Sequence, residues 1–65
     1  MYLNILAEMA RRRLTKTKMA EELEMSPWTF DHKLKNETEF TLNEIRKLQS
    51  IFGGCTFEYL FMEQL

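Results

Sequence analysis

The residues from Thr15 to Asn36 constrain the fold most, because they hold two helix signatures with only a few residues between them. The first helix can begin at Thr15, whose hydroxyl can accept a hydrogen bond from an early backbone N–H. Its buried face carries three apolar residues, Met19, Ala20 and Leu23. The second helix can begin at Ser26, a preferred N-cap, followed by Pro27, whose missing N–H has no intrahelical partner at that position. The segment therefore predicts two short helices joined by a tight turn over residues 24–26.

The second helix of this pair has two distinct faces. Phe30 and Leu34 are four residues apart and are expected to point inward. The opposite face carries Trp28, Asp31, His32 and Lys35. Burial of apolar side chains does not explain these outward residues, so this face is a candidate for function.

The segment resembles the helix-turn-helix of small phage Cro and repressor proteins. The resemblance is carried by residues 14–16, 19–20, 23–26, 30 and 33–36, and it extends through residues 39–45 and 57–61, so that it covers nearly the whole chain. In that family the second helix enters the major groove and the first spans the phosphate backbone. The sequence departs from the family at three places. Glu24 and Asn36 stand where Gly is common, and no Gln or Arg lies on the outward stripe, which leaves the DNA sequence preference open.

The resemblance implies an all-α, compact five-helix repressor-like domain over residues 1–65, with the motif at about 15–36 and the reading helix at about 27–35. It implies double-stranded operator DNA as the partner of a homodimer, and no cofactor. The residues expected to read bases are Pro27, Trp28, Thr29, Asp31 and His32. The residues expected to contact phosphates are Thr15, Lys16, Lys18, Ser26, Lys33, Lys35 and Asn36.

Other interpretations of these residues remain open. Trp28 can instead fold over the helix junction, and Asp31 and His32 can be ordinary solvated side chains. The run of three arginines at residues 11–13 is either a solvated helix end or a phosphate contact. A protein-binding module that presents Trp28 or the C-terminal aromatic residues to another protein is the alternative function.

Three further helices are expected around the motif. Residues 2–13 show helical periodicity. Many members of the resembled family pair an Arg with a Glu at the positions of Met9 and Leu34, so the resemblance implies that these two apolar residues meet in the core. Thr41 and Glu44 form a capping-box pattern, with Phe40 and Ile45 as a hydrophobic staple. That helix is expected to bury Ile45, Leu48 and Phe52 and to end at Gly53-Gly54, and Thr56 can cap a last short helix.

Composition excludes several classes of protein. A chain of 65 residues with one Cys and one His predicts a single small domain without an internal disulfide or a structural zinc site. The longest apolar run, residues 59–62, is too short to span a bilayer, and the N-terminus lacks the basic start of a signal peptide. We expect a protein of the bacterial host cytoplasm, with no membrane partner and no small-molecule substrate. Catalysis is not expected, since Cys55 and His32 are the only candidate groups.

The charge is unevenly distributed along the chain. The net charge is −1, which does not favour nucleic-acid binding. However, residues 11–36 contain seven basic and four acidic residues, a local charge of +3, while the rest of the chain carries −4. Because phosphate neutralisation is local, the distribution permits DNA binding.

The C-terminal residues from Phe57 to Leu65 are too apolar for all of them to face one core. Helical spacing places Phe57, Leu60 and Phe61 inward. The remaining residues, Tyr59, Met62 and Leu65, are predicted to form a dimer interface, with a lid over the core as the alternative.

Overall fold

The structure is a computed structural model that describes residues 1–63, and within that part of the chain it contains five α-helices and no β-strand. The helices are α1 (Leu3–Arg11), α2 (Lys16–Glu22), α3 (Pro27–Leu34), α4 (Leu42–Ile51) and α5 (Phe57–Leu60). The prediction of an all-α protein is confirmed. No helix in residues 1–63 is both long and apolar enough to cross a membrane.

Four helices begin at the N-caps that the sequence predicts. The hydroxyl groups of Thr15, Ser26, Thr41 and Thr56 each accept a hydrogen bond from the backbone N–H three residues later. At Thr41 the capping box is complete, because its backbone N–H also donates to the Glu44 carboxylate at 2.9 Å. The starts of α2 and α3 are therefore determined locally.

Three helices end on residues with a left-handed backbone. Arg13, Glu24 and Asn36 have φ values of 56°, 58° and 63°. At the end of α1, the N–H of Leu14 donates to the carbonyl of Met9 at 2.8 Å, and the corresponding bonds close α2 and α3, as in a Schellman motif. Glu24 and Asn36 thus adopt the conformation for which Gly would be favoured. The left-handed residue at Arg13 also explains why α1 ends at Arg11, short of the predicted range of 2–13.

The core is formed by ten buried apolar side chains drawn from all five helices and from the residues that end α2 and α4. They are Ile5, Met9, Met19, Ala20, Leu23, Phe30, Leu34, Leu48, Phe52 and Leu60. The predicted inward faces of α2 and α3 are confirmed. Met9 and Leu34 both belong to the core, whereas Ile45 is only half-buried.

The last helix differs from the prediction in which side chains it buries. Phe57 was expected inward but is 45% exposed, while Tyr59 was expected outward but is half-buried. A helix of a single turn has no continuous face, and Leu60 alone enters the core completely. The Tyr59 carbonyl accepts a 2.7 Å hydrogen bond from the Asn4 side chain, which fixes α5 against α1.

An aromatic cluster closes the structure beside the end of α3. The Phe61 ring packs edge-on against Tyr2 and Phe40, at centroid distances of 5.3 and 5.6 Å. The backbone N–H of Tyr2 donates to the carbonyl of Leu34 at 3.0 Å. The N-terminus therefore supports the C-terminal end of α3.

Candidate nucleic-acid interface

The exposed face of α3 is centred on Trp28. Its side chain is 70% exposed, and its ring lies 3.9 Å from the ring of His32, one helical turn later. Nδ1 of His32 in turn contacts the Glu37 carboxylate. Trp28 thus projects from the surface, with its ring packed on that of His32, and is not folded over the helix junction.

The two other predicted base-reading residues near the start of α3 have different surroundings. Pro27 is exposed at the first helical position. Thr29 is half-buried and forms part of the cap, because its N–H donates to the Ser26 hydroxyl at 3.1 Å and its own hydroxyl accepts from Ser26 at 2.9 Å. Pro27 can contact a partner, whereas the Ser26 and Thr29 hydroxyl groups bond to each other.

Asp31 lies between two lysines. Oδ1 accepts from Nζ of Lys16 at 2.5 Å, and Oδ2 lies 3.0 Å from Nζ of Lys35. The hydrogen bonds from Lys16 and Lys35 lower the pKa of the Asp31 carboxyl to about 2. Asp31 is therefore an ionised carboxylate whose charge is compensated by two lysines. It is not the unpaired acceptor that the sequence suggests.

Lys33 does not lie on the exposed face. Its side chain is only 12% exposed, and Nζ lies 2.6 Å from Oε1 of Glu44 on α4. Burial raises the pKa of Glu44, but the hydrogen bonds from Lys33 and from the Thr41 N–H outweigh it and leave that pKa below its ordinary value. Lys33 is thus engaged with α4 in this structure, and its predicted contact with phosphate stays a prediction.

The remaining predicted phosphate contacts lie at the ends of α2 and α3. Thr15 is exposed, but its hydroxyl caps α2. The Lys18 ammonium is exposed and lies 3.4 Å from the Glu22 carboxylate. The Asn36 side chain accepts from the Tyr2 hydroxyl at 3.2 Å and donates to Glu63, so it is already engaged by both ends of the chain.

Glu8 is the most important residue that sequence reasoning missed. It is only 4% exposed, and its carboxylate accepts hydrogen bonds from Arg11, Arg12 and the Tyr59 hydroxyl at 2.7, 2.5 and 2.8 Å. The Arg12 hydrogen bond, followed by that of Tyr59, lowers the pKa of Glu8. The Arg12 guanidinium also lies 5.1 Å from the centre of the Phe52 ring. Glu8 lies three residues after Ile5, the spacing of an inward residue in α1, and this spacing could have indicated that it is buried.

The predicted dimer residues fall into three categories. Met62 is 53% exposed, as expected. Tyr59 is half-buried and its hydroxyl donates to Glu8, so it is less exposed than predicted. Leu65 lies outside the described residues. Phe57 takes a place that the sequence did not predict, since it is exposed and stacks on Phe61 at 5.0 Å.

Among residues 1–63, no three His, Cys, Asp or Glu side chains are grouped to hold a metal ion.

Comparison with known proteins gave a negative result. No protein-family model, curated protein or solved structure matches this chain.

Proposed function

We propose that this protein binds double-stranded DNA sequence-specifically, as a small phage- or prophage-type transcriptional regulator of the Cro/repressor kind. In this proposal α2 and α3 form a helix-turn-helix, with α3 in the major groove and α2 across the phosphate backbone. The observation that carries the proposal is the exposed face of α3, on which Trp28 is 70% exposed and Asp31 is paired with Lys16 and Lys35.

The dimensions and chemistry of this face suit a DNA groove. The major groove is about 12 Å wide and admits one α-helix. Trp28 is the second residue of α3, close to the N-terminal end from which reading helices contact base edges. A large apolar ring there can pack on a thymine methyl group, and His32 beneath it can donate to a base or a phosphate.

The proposed phosphate contacts surround this face. Lys16 and Lys35 keep 47% and 45% of their side chains exposed, and Lys18 keeps 55%. The Lys18 N–H already donates to the Thr15 hydroxyl, so the proposed donors to phosphate are the lysine ammonium groups. These residues supply affinity without sequence information, whereas Trp28 and its neighbours supply the preference.

A homodimer is part of the proposal. Two copies place two reading helices on half-sites about 34–36 Å apart, which strengthens the specificity of a helix with few base contacts. Met62 and Phe57 are exposed apolar side chains on the C-terminal segment and are the proposed contacts. The proposed location is the cytoplasm of a bacterial host, and the proposed role is binding without catalysis or a cofactor.

A protein-binding role is the second candidate. One specific observation favours it, namely a cavity of about 320 Å³ lined mainly by aromatic and apolar side chains next to the C-terminal segment. Its lining includes Tyr2, Phe40, Ile45, Phe57 and Phe61. A protein partner would use this cavity and leave Trp28 unprotected, whereas DNA would cover Trp28.

Selection of oligonucleotides from a random pool at low salt tests the proposal. We expect one enriched motif of two related half-sites.

Substitution of Lys16 and Lys35 by Ala should weaken binding to every sequence and flatten its salt dependence. Trp28→Ala should instead change the preference at one base pair by about 1–3 kcal/mol. Absence of any enriched motif would show that the DNA-binding proposal is wrong.

A further inference from the structure

We infer that Asp31 is a positioning residue that holds Lys16 and Lys35 together as a clamp for one DNA phosphate, an inference that rests on the proposed function. The sequence alone suggests a different role for Asp31, in which its carboxylate accepts from a cytosine amino group. The two roles make opposite predictions about which DNA sequences respond when the carboxylate is removed.

The geometry joins two helices through one carboxylate. Lys16 is the first residue of α2, while Asp31 lies in α3 and Lys35 caps its C-terminal end. Each oxygen of Asp31 takes a different lysine, at 2.5 Å for Lys16 and 3.0 Å for Lys35. The two ammonium groups are therefore held on either side of a single carboxylate.

The exposed fractions of Asp31, Lys16 and Lys35 show which of the three side chains a phosphate can reach. The side chain of Asp31 is only 25% exposed, whereas those of Lys16 and Lys35 are 47% and 45% exposed. An ammonium group has three N–H donors, so each lysine keeps donors after bonding to Asp31. The group carries a net charge of +1, which matches the single negative charge of one phosphodiester.

Preorganisation is what the carboxylate contributes. Two lysines without Asp31 repel each other, and each has a long side chain that loses rotamer freedom on binding. With Asp31 between them, part of that ordering is already present before DNA arrives. Both oxygens of Asp31 already accept charge-assisted hydrogen bonds, so reading a cytosine would compete with those bonds.

Asp31→Asn separates the possible roles. A clamp predicts that affinity falls for both duplexes, by roughly tenfold for the selected one, because a phosphate contact is lost and such a contact does not depend on sequence. Simple repulsion between Asp31 and DNA predicts an equal gain for both duplexes. Base reading predicts a changed preference at one base pair.

The experiment measures dissociation constants for the selected and a scrambled duplex at matched salt. The variants are Asp31→Asn, Asp31→Glu, Lys16→Gln and the double variant Lys16→Gln with Asp31→Asn, which retains the wild-type net charge. The clamp predicts that Asp31→Glu restores part of the affinity that Asp31→Asn loses. It also predicts that the double variant binds the selected duplex no more weakly than Lys16→Gln alone, because Asp31 acts through the lysines. Glu58→Gln, which removes one exposed carboxylate on α5, is the charge-matched control and should weaken binding to neither duplex.

A measurement on the free protein tests, without DNA, whether Asp31 orders Lys16 and Lys35. NMR signals of the lysine ammonium groups should show Lys16 and Lys35 ordered in the wild type and mobile in Asp31→Asn. Equal tightening on both duplexes, a preference change confined to one base pair, or unchanged lysine mobility would overturn the clamp while the proposed function stands. A wild type that binds no duplex overturns the proposed function, and the clamp with it.

Discussion

At the scale of single residues, the lysines of the candidate interface differ in how far the protein itself already uses them. Lys35 and Lys16 share one carboxylate and remain about half exposed. Lys33 is almost enclosed, with its ammonium on Glu44 and 5.9 Å from the centre of the Phe40 ring. Lys33 and Lys35, two residues apart at the end of α3, therefore have different surroundings, and Lys33 links α3 to α4.

Lys33→Ala should consequently destabilise the protein. Loss of a partly buried ion pair leaves the Glu44 carboxylate without its lysine and should lower the free energy of unfolding by about 1–2 kcal/mol. Urea denaturation followed by circular dichroism measures this change. Lys18→Ala is the matched control, because its ion pairs are exposed and its loss should change stability by less than about 0.5 kcal/mol. Equal stability of the two variants would contradict the assigned role of Lys33.

At the scale of elements, α5 is attached to α1 by polar contacts as well as by the core. The Tyr59 hydroxyl donates to Glu8, and the Asn4 side chain donates to the Tyr59 carbonyl. Glu8 is buried as an ion, which is tolerated because arginine and tyrosine donors surround it. The docking of the C-terminal segment therefore depends on the ionisation of Glu8.

Tyr59→Phe should lower the melting temperature and change its dependence on pH. The Glu8 pKa is lowered in the folded protein, so its contribution is fully present above its ordinary pKa near 4.5 and is lost as the pH falls through the lower folded value. Without the Tyr59 hydroxyl the folded pKa moves back towards 4.5, and less stability remains to be lost on acidification. Melting temperatures measured between about pH 7 and pH 3 test this expectation.

Tyr2→Phe is the control for this prediction. The Tyr2 hydroxyl donates to Asn36 and not to Glu8, so the acid dependence of its melting temperature should match that of the wild type. Identical pH profiles for Tyr59→Phe and wild type would show that the hydroxyl does not stabilise the ionised Glu8.

Local signals in the sequence predicted most of the helix architecture. The caps at Thr15, Ser26, Thr41 and Thr56 act within one turn, so each can be recognised without knowledge of the rest of the fold. Spacing within α2 and α3 also identified the buried faces, since both helices pack along a single stripe.

Contacts between helices could not be predicted in the same way. Helical periodicity identifies the face of each helix but not the side chain that the neighbouring helix places opposite it. Pairs such as Lys33 with Glu44 and Lys16 with Asp31 depend on that relative rotation. The one-turn α5 gave too short a pattern to show that Tyr59 points towards Glu8.

At the scale of the whole molecule, the charge asymmetry of the sequence is reduced by ion pairs between distant segments. Residues 11–36 carry +3, but Glu8 and Glu44 from outside that range pair with Arg11, Arg12 and Lys33 and offset two of those charges. Within residues 11–36, the other basic side chains are exposed; they are Arg13, Lys16, Lys18 and Lys35, and the three lysines are paired with carboxylates of the same range. This arrangement favours a small number of localised phosphate contacts over broad attraction to DNA.

Met62→Glu should weaken the proposed dimer. The Met62 side chain is 53% exposed, so a carboxylate there should not disturb the core but would place like charges together in a symmetric interface. Sedimentation at micromolar concentration, with and without the selected duplex, should give a smaller species for this variant than for the wild type. Leu42→Glu, at the first residue of α4, which is 63% exposed, is the control and should sediment like the wild type. A wild type that is monomeric under both conditions would remove the C-terminal interface from the proposal.

The fluorescence of Trp28 offers the most direct test of whether α3 enters the groove. Trp28 is the only tryptophan in the chain and is 70% exposed, so a neutral quencher such as acrylamide reports on this face alone. Saturation with the selected duplex should reduce quenching to the level of a buried tryptophan, and a scrambled duplex at the same concentration should protect it much less. Saturated binding with undiminished acrylamide quenching would contradict the placement of α3 in the major groove.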